Sequence, residues 1–291
     1  MKLSEIRIRD PFILINNNKY YMYGTTGSFG TTTLEKRMFI VYISEDMENW
    51  EGKICFEPDD TFWADKDFWA PEVHKYNGAY YMFASFRSDS RLRGTQILKS
   101  DTPEGPFVPI SDGPVTPADW YCLDGTLYVH TDGTPYMVFC HEWTQIHDGE
   151  ICYLQLTPDL SAPVGEPVVM FKASESPYTK EISGAVDGRE CYGKVTDGPY
   201  FYRSDDGKLI LIWSSIGEKG YIQAQAISNT GDIFGLWNHT APLIFDTDGG
   251  HGMVFTDKNG NLKLTLHSPN NFPNERAAFF DIKYNGEYLT I

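Results

Sequence analysis

The sequence predicts an all-β chain, a five-bladed β-propeller of four-stranded antiparallel blades, and three observations carry that expectation. A short apolar strand opened by an acidic residue or a histidine recurs five times, at Asp10, Glu72, Asp124, Asp197 and His251. Behind each opening come a turn signal and a second apolar run, the arrangement of a β-hairpin. Helical patterning is nearly absent: no window carries apolar residues at i, i+3, i+4 and i+7 over three turns, whereas period-two alternation and aromatic or β-branched runs are frequent.

The units follow in order. Asp10 opens a strand that turns at Asn16-Asn17-Asn18 into the run from Tyr20, and Met38 to Ser44 supplies a third strand. Glu72 leads through Tyr76-Asn77-Gly78 into the run from Tyr80 and then Thr95 to Ser100. Asp124 leads through Thr131-Asp132-Gly133 into the run from Pro135 and then Ile151 to Leu156. Asp197 leads through Asp205-Asp206-Gly207 into the run from Leu209 and then Tyr221 to Ser228. His251 leads through Lys258-Asn259-Gly260 into the run from Leu262 and then Ala277 to Tyr284. Aromatic residues such as Trp50, Phe107 and Trp237, each just after a turn, mark a fourth, outer strand in most units. The openings are 62, 52, 73 and 54 residues apart (72−10, 124−72, 197−124, 251−197). A repeat of about fifty residues with four short strands is the propeller plan.

Composition fits one domain over residues 1–291, because closed all-β repeats run this long as single units. The formal charge of −16 argues against nucleic acid, whose binding rests on clustered Lys and Arg. No apolar run approaches membrane-spanning length, so no membrane partner is expected. The five cysteines, Cys55, Cys122, Cys140, Cys152 and Cys191, are odd in number and lack C-x-x-C spacing, which favours buried thiols over a zinc site or a disulfide framework. The opening MKLSEIRIRDPFIL carries no long apolar segment of the signal-peptide kind, so a cytoplasmic location is expected, or a secreted one if a leader has been removed.

In a propeller the first strand of each blade lines the central channel, so the opening residues converge at one mouth. Carboxylates gathered there force at least one pKa upward. One carboxyl then stays protonated as an acid while another stays ionised as a base. Glycoside hydrolysis requires that division of labour. For any single Asp-Gly or Asp-Pro pair a turn cap is the better reading; recurrence at one point of successive repeats reverses it. Trp63, Phe68, Trp69, Trp120 and Trp143 lie near strand openings or ends, where aromatic faces can line a sugar pocket.

The segments Arg9-Asp10-Pro11-Phe12, Trp69-Ala70-Pro71-Glu72-Val73, Leu123-Asp124-Gly125, Thr196-Asp197-Gly198-Pro199 and Gly250-His251-Gly252 resemble glycoside hydrolase family 43, in order and over essentially the whole chain. The resemblance implies an inverting five-bladed glycosidase acting on α-L-arabinofuranosyl or β-D-xylosyl linkages of plant oligo- or polysaccharides. It makes Asp10 the general base, Asp124 the carboxylate that orients the acid, and Asp197 the general acid. The family usually carries Glu at that last position, whereas some of its branches resemble this chain in carrying Asp-Gly-Pro. Glu142 is the leading substitute acid, with Glu72 and Glu190 behind it. Trp69, Glu72, Glu142, Trp143, His267 and Arg276 are the expected substrate-binding residues. No cofactor is required; His251 is the candidate ligand for a structural Ca2+ in the channel, a weak site because calcium prefers oxygen donors. Segments Lys172–Val195 and Gly27–Arg37 are the expected pocket walls, and a closed pocket implies exo action. The alternatives are a galactofuranosidase or galactan-directed enzyme of the same family, and a non-catalytic carbohydrate-binding propeller.

Overall fold

The computed structural model describes residues 1–26, 37–186 and 189–291. Five antiparallel sheets follow one another, each a meander whose first strand is innermost. Blade one holds β1 (Arg9–Asn16), β2 (Lys19–Thr25), β3 (Phe39–Ser44) and β4 (Glu51–Phe56). Blade two holds β5 (Lys66–Tyr76), β6 (Ala79–Arg87), β7 (Gly94–Ser100) and β8 (Val108–Pro109). Blade three holds β9 (Cys122–Val129), β10 (Pro135–His141), β11 (Glu150–Leu156) and β12 (Pro163–Lys172), with a single turn of helix, α1 (Trp143–Ile146), after β10. A separate hairpin, β13 (Ile182–Val186) and β14 (Arg189–Gly193), precedes blade four, which holds β15 (Asp197–Arg203), β16 (Leu209–Gly217), β17 (Gly220–Ser228) and β18 (Trp237–Asn238). Blade five has three strands among the described residues, β19 (Gly250–Thr256), β20 (Leu262–Ser268) and β21 (Arg276–Asp281). A short ladder of β22 (Lys283–Tyr284) and β23 (Leu289–Thr290) follows. Each inner strand contacts the next around the ring, and β19 returns to β1. No helix among the described residues is long and apolar enough to cross a membrane.

Local chemistry sets these hairpins. Asn17 and Asn18 have φ of 47° and 61°, and Asn77 and Gly78 have 46° and 83°. Two successive left-handed residues make the type I′ turn whose twist matches the flanking strands. The core lies between blades, where apolar side chains of neighbouring sheets interdigitate. One cluster joins blades one, two and five around Tyr23, Phe39, Met82 and Phe86, and another joins blades three and four around Phe171 and Trp213. Each fully buried Phe contributes roughly 2–3 kcal/mol of transfer free energy. The five cysteines are buried free thiols.

All five inner strands share one irregularity. Two residues of the inner strand oppose a single residue of the second strand at Asp10-Pro11, Ala70-Pro71, Asp124-Gly125, Gly198-Pro199 and His251-Gly252. These are β-bulges, and in each the first residue is left-handed: φ is 54° at Asp10, 44° at Ala70, 57° at Asp124, 50° at Gly198 and 50° at His251. The second residue is always Pro or Gly, which a bulge tolerates because its N–H is outside the ladder. The bulge turns the first residue out of the sheet toward the channel mouth.

This corrects the expected equivalence of the five openings. Asp10, Asp124 and His251 do occupy one structural position. In blade two that position is Ala70, and Glu72 lies two residues deeper along the strand. In blade four it is Gly198, and Asp197 comes from one residue earlier, opposite Ser214.

Candidate active site

A ring of hydrogen bonds orders the mouth of the channel. The bulge amide of each blade donates to a side chain of the preceding blade: Ala70 to Thr25 Oγ1 (2.7 Å), Asp124 to Ser85 Oγ (3.0 Å), His251 to Ser214 Oγ (2.7 Å) and Asp10 to His267 Nδ1 (3.2 Å). Thr25, Ser85, Ser214 and His267 occupy equivalent places on the second strands, and the fifth such place is Cys140. A thiol is a weak acceptor. The Gly198 amide donates instead to Asp124 Oδ2 at 3.0 Å, which fixes that carboxylate beside Asp197.

Asp10 accepts a 2.7 Å bond from the Thr25 hydroxyl on Oδ2, and its Oδ1 lies 3.1 Å from His251 Nδ1. Burial pushes this carboxyl up, but His251, Arg9 and the Thr25 bond together hold it below the usual carboxylate range. Asp124 is displaced the other way: burial and the neighbouring Asp10 push it well up, against the Gly198 amide. Asp197 is pushed up to about 7 by burial and by Asp124, with Tyr221 and His251 opposing. Tyr221 Oη donates to Asp197 Oδ2 at 2.9 Å. Burial lowers His267 to about 4, so its ring is neutral: Nδ1 accepts the Asp10 amide and Nε2 donates to Asn270 Oδ1 at 3.2 Å.

These groups open onto a cavity of about 530 Å³. Asp10, Asp124, Asp197, His251, Arg9 and Tyr221 form its floor, and Trp69, Glu142, Trp143 and the hairpin residues Ile182, Ala185 and Val186 its walls. Two carboxyls biased toward neutrality and one biased toward ionisation, over one cavity, can supply both a proton and a proton acceptor.

The sequence model described as glycosyl hydrolases family 43 matches residues 3–282. The chain belongs to family 43 of the glycosyl hydrolases. The crystal structure of an endo-arabinase from Bacteroides thetaiotaomicron VPI-5482 is 39% identical, with a TM-score of 0.89 and coverage of 99% of both chains. A xylosidase/arabinosidase 43A of Humicola insolens is 31% identical over 90 residues, 31% of this chain and 27% of that protein. A xylosidase/arabinosidase of Bacteroides ovatus is 25% identical over 139 residues, 43% of each. The matched segments thus span less than half the length of these two curated relatives.

Within this family 43 site, Asp10, Asp124, Asp197, Trp69, Glu142, Trp143 and His251 all line the cavity. Glu142 Oε2 is engaged by Arg93 Nη1 at 2.5 Å, and Arg93 also binds Asp67 through Nε and Nη2 at 3.0 and 2.8 Å. That makes Glu142 the partner of a buried cation rather than a free proton donor. Arg93 packs 4.2 Å over the Trp69 ring. Glu72 is not in the cavity wall: being two residues past the bulge, it is buried in the channel with Oε2 3.0 Å from His74 Nε2. His267 sits behind Asp10, fully buried, and touches the floor from below. Arg276 is a correction. Its guanidinium donates to the carbonyls of Ser4, Pro273 and Glu275, outside the cavity. Its neighbour Glu275 reaches inward instead, to Arg7 and Arg9.

Of the other aromatic candidates, Trp63 and Phe68 pack in the core and Trp120 stacks on His141 at 4.0 Å. The Lys172–Val195 segment does supply a wall, through the β13–β14 hairpin. In the Gly27–Arg37 segment, residues 27–36 lie outside the described residues. His251 directs Nδ1 at Asp10, and no three His, Cys, Asp or Glu side chains form a metal-holding group among the described residues. Thr25, Ser85, Arg93 and Tyr221 were not foreseen; the only trace of the first two is a hydroxyl near the end of each second apolar run.

Proposed function

We propose that this family 43 hydrolase cleaves α-L-arabinofuranosyl linkages of arabinan-type substrates with inversion, with β-D-xylosyl linkages as the second substrate class. The observation that carries the reading is the opposite charge bias of Asp10 and Asp197 on one cavity. Asp10, ionised, takes a proton from water placed against the anomeric carbon. Asp197, protonated, gives its proton to the departing oxygen, which keeps the electron pair of the broken C–O bond, while the water oxygen forms the new one. Asp124 lies beside the acid and keeps it from ionising early. Trp69 and Trp143 offer faces to the sugar, and Glu142 a carboxylate to its hydroxyls.

The substrate choice rests on likeness to the 39% identical endo-arabinase and on the paired xylosidase/arabinosidase names of the curated relatives. The apolar hairpin wall of Ile182, Ala185 and Val186 supports release from chain ends, whereas likeness to an endo-arabinase supports internal cleavage.

The test is hydrolysis of linear arabinan, arabino- and xylo-oligosaccharides and the matching 4-nitrophenyl glycosides, β-D-galactofuranoside included, by wild type, Asp10→Asn and Asp197→Asn. Arabinan turnover is expected, falling by about a thousandfold in either variant on unactivated substrates. Product size separates end release from internal cleavage. Turnover confined to the galactofuranoside would replace the substrate, and binding without any turnover would replace the enzyme reading.

A further inference from the structure

Tyr221 is held more rigidly than its place at the start of an ordinary third strand requires. It is 2% exposed, and its ring stacks on His267 with centroids 5.4 Å apart and planes at 27°. Its amide donates to Asp248 Oδ1 at 3.2 Å, and its carbonyl accepts from Gly249 at 2.9 Å. Against its other side runs Gly250, where a Cβ would come within 2.8 Å of the ring. Tyr221 lines the cavity, and its hydroxyl donates to Asp197 Oδ2 at 2.9 Å. His267 in turn accepts the amide of Asp10, so one stacked pair supports both carboxylates.

From this geometry we infer that Tyr221 is a positioning residue for Asp197: its hydroxyl occupies Oδ2, presents Oδ1 as the oxygen that carries the proton to the leaving group, and stabilises the carboxylate that remains. The inference rests on the reading of Asp197 as the acid. As the glycosidic bond breaks, the proton passes from Oδ1 to the leaving oxygen, and the charge left on Asp197 is met by the Tyr221 O–H. A hydrogen bond that strengthens as charge develops favours the transition state over the ground state. The other groups that act on Asp197 are Asp124, His251, Glu142, Arg9 and Cys140. None of them is altered by Tyr221→Phe, which keeps the ring and its stacking.

In Tyr221→Phe, kcat on unactivated oligosaccharides is expected to fall by about tenfold or more, with less than about threefold change on a 2,4-dinitrophenyl glycoside, whose leaving group needs no proton. The alkaline limb of kcat/KM moves to higher pH, because loss of a donor to the carboxylate raises its pKa. A readout independent of turnover is the carboxyl ¹³C titration of Asp197, assigned by its absence in Asp197→Asn and expected to shift upward in Tyr221→Phe. Equal losses on both leaving groups with an unmoved titration would overturn the inference. A shifted titration in a protein that turns over no glycoside would leave the Tyr221 bond standing and defeat the hydrolase reading instead.

Discussion

Burial alone pushes Asp10 and Asp197 in the same direction, toward the neutral acid, because each is removed from water. Their neighbours separate them. Asp10 has His251, Arg9 and the Thr25 hydroxyl beside it, whereas at Asp197 burial and the Asp124 carboxylate outweigh His251 and the Tyr221 hydroxyl. The raised value of Asp197 has a sign that stability measurements can read. A carboxyl whose folded pKa lies above its unfolded value binds more protons in the folded state between the two. Its stabilisation is complete below about 4, the unfolded value, and is lost as pH rises through about 7. Wild type should therefore lose stability relative to Asp197→Asn across that window. Urea midpoints of both proteins, followed from about pH 4 to about pH 8, check this. Parallel curves would mean that Asp197 titrates normally. In the same enzyme kcat/KM should fall on an alkaline limb near 7, as the acid ionises.

The bulge at the start of each inner strand is the element that makes five ordinary hairpins into a site. It costs each blade a left-handed residue, which Asp tolerates better than most side chains. In blade four the demand is stricter, because the His251 ring fills the space where a side chain at 198 would go. A Cβ on Gly198 would lie 2.5 Å from His251 Cδ2, and His251 is pinned by Ser214 and Asp10. Gly207 offers the comparison: it is also left-handed, at φ 88°, but has nothing within 4 Å of a Cβ. Both Gly198→Ala and Gly207→Ala should lose about 1–2 kcal/mol from backbone strain. Only Gly198→Ala should also lose activity, by at least about tenfold, since it displaces groups aligned for reaction. Thermal melts beside kcat/KM for the two variants test this; equal activities would deny the bulge its role.

The strands themselves were legible because Asn-Gly and Asp-Gly turns and alternating apolar runs are local signals. So was the gathering of Asp10, Asp124 and Asp197 at one channel mouth. The register of the bulge was not legible, since a one-residue change of phase depends on which side chain fits beside its neighbour across the ring. That is why Glu72 was placed at the mouth and lies deeper, and why Arg276 was expected inside while Glu275 reaches in. Tyr221 gave no signal, because its meaning depends on the start of a third strand meeting the inner strand of the same blade.

At the scale of the whole molecule, the ring must close between its first and last blades, and among the described residues no strand is shared between the sheets of blades one and five. Closure depends on side chains and single backbone bonds. Glu275, completely buried, faces Arg7 at 3.2 Å and Arg9 at 3.4 Å, and its carbonyl accepts the Ile8 amide at 3.3 Å. The Asp10 amide on His267 adds a second tie across the same seam. Removing the carboxylate leaves two partly buried guanidinium groups side by side, so Glu275→Ala should cost about 3 kcal/mol, the lower end for a broken buried pair because both arginines retain some solvent. Arg9 lines the cavity beside Asp10, so the same change should lower kcat/KM even where the protein is fully folded. Arg276→Ala, which removes a half-buried guanidinium bonded to carbonyls outside the cavity, is the control and should change stability by less than about 1 kcal/mol with activity intact. Urea titration with activity measured far below the unfolding midpoint separates the two effects. A Glu275→Ala protein as stable as wild type would show that apolar packing between blades one and five closes the ring without its ion pairs.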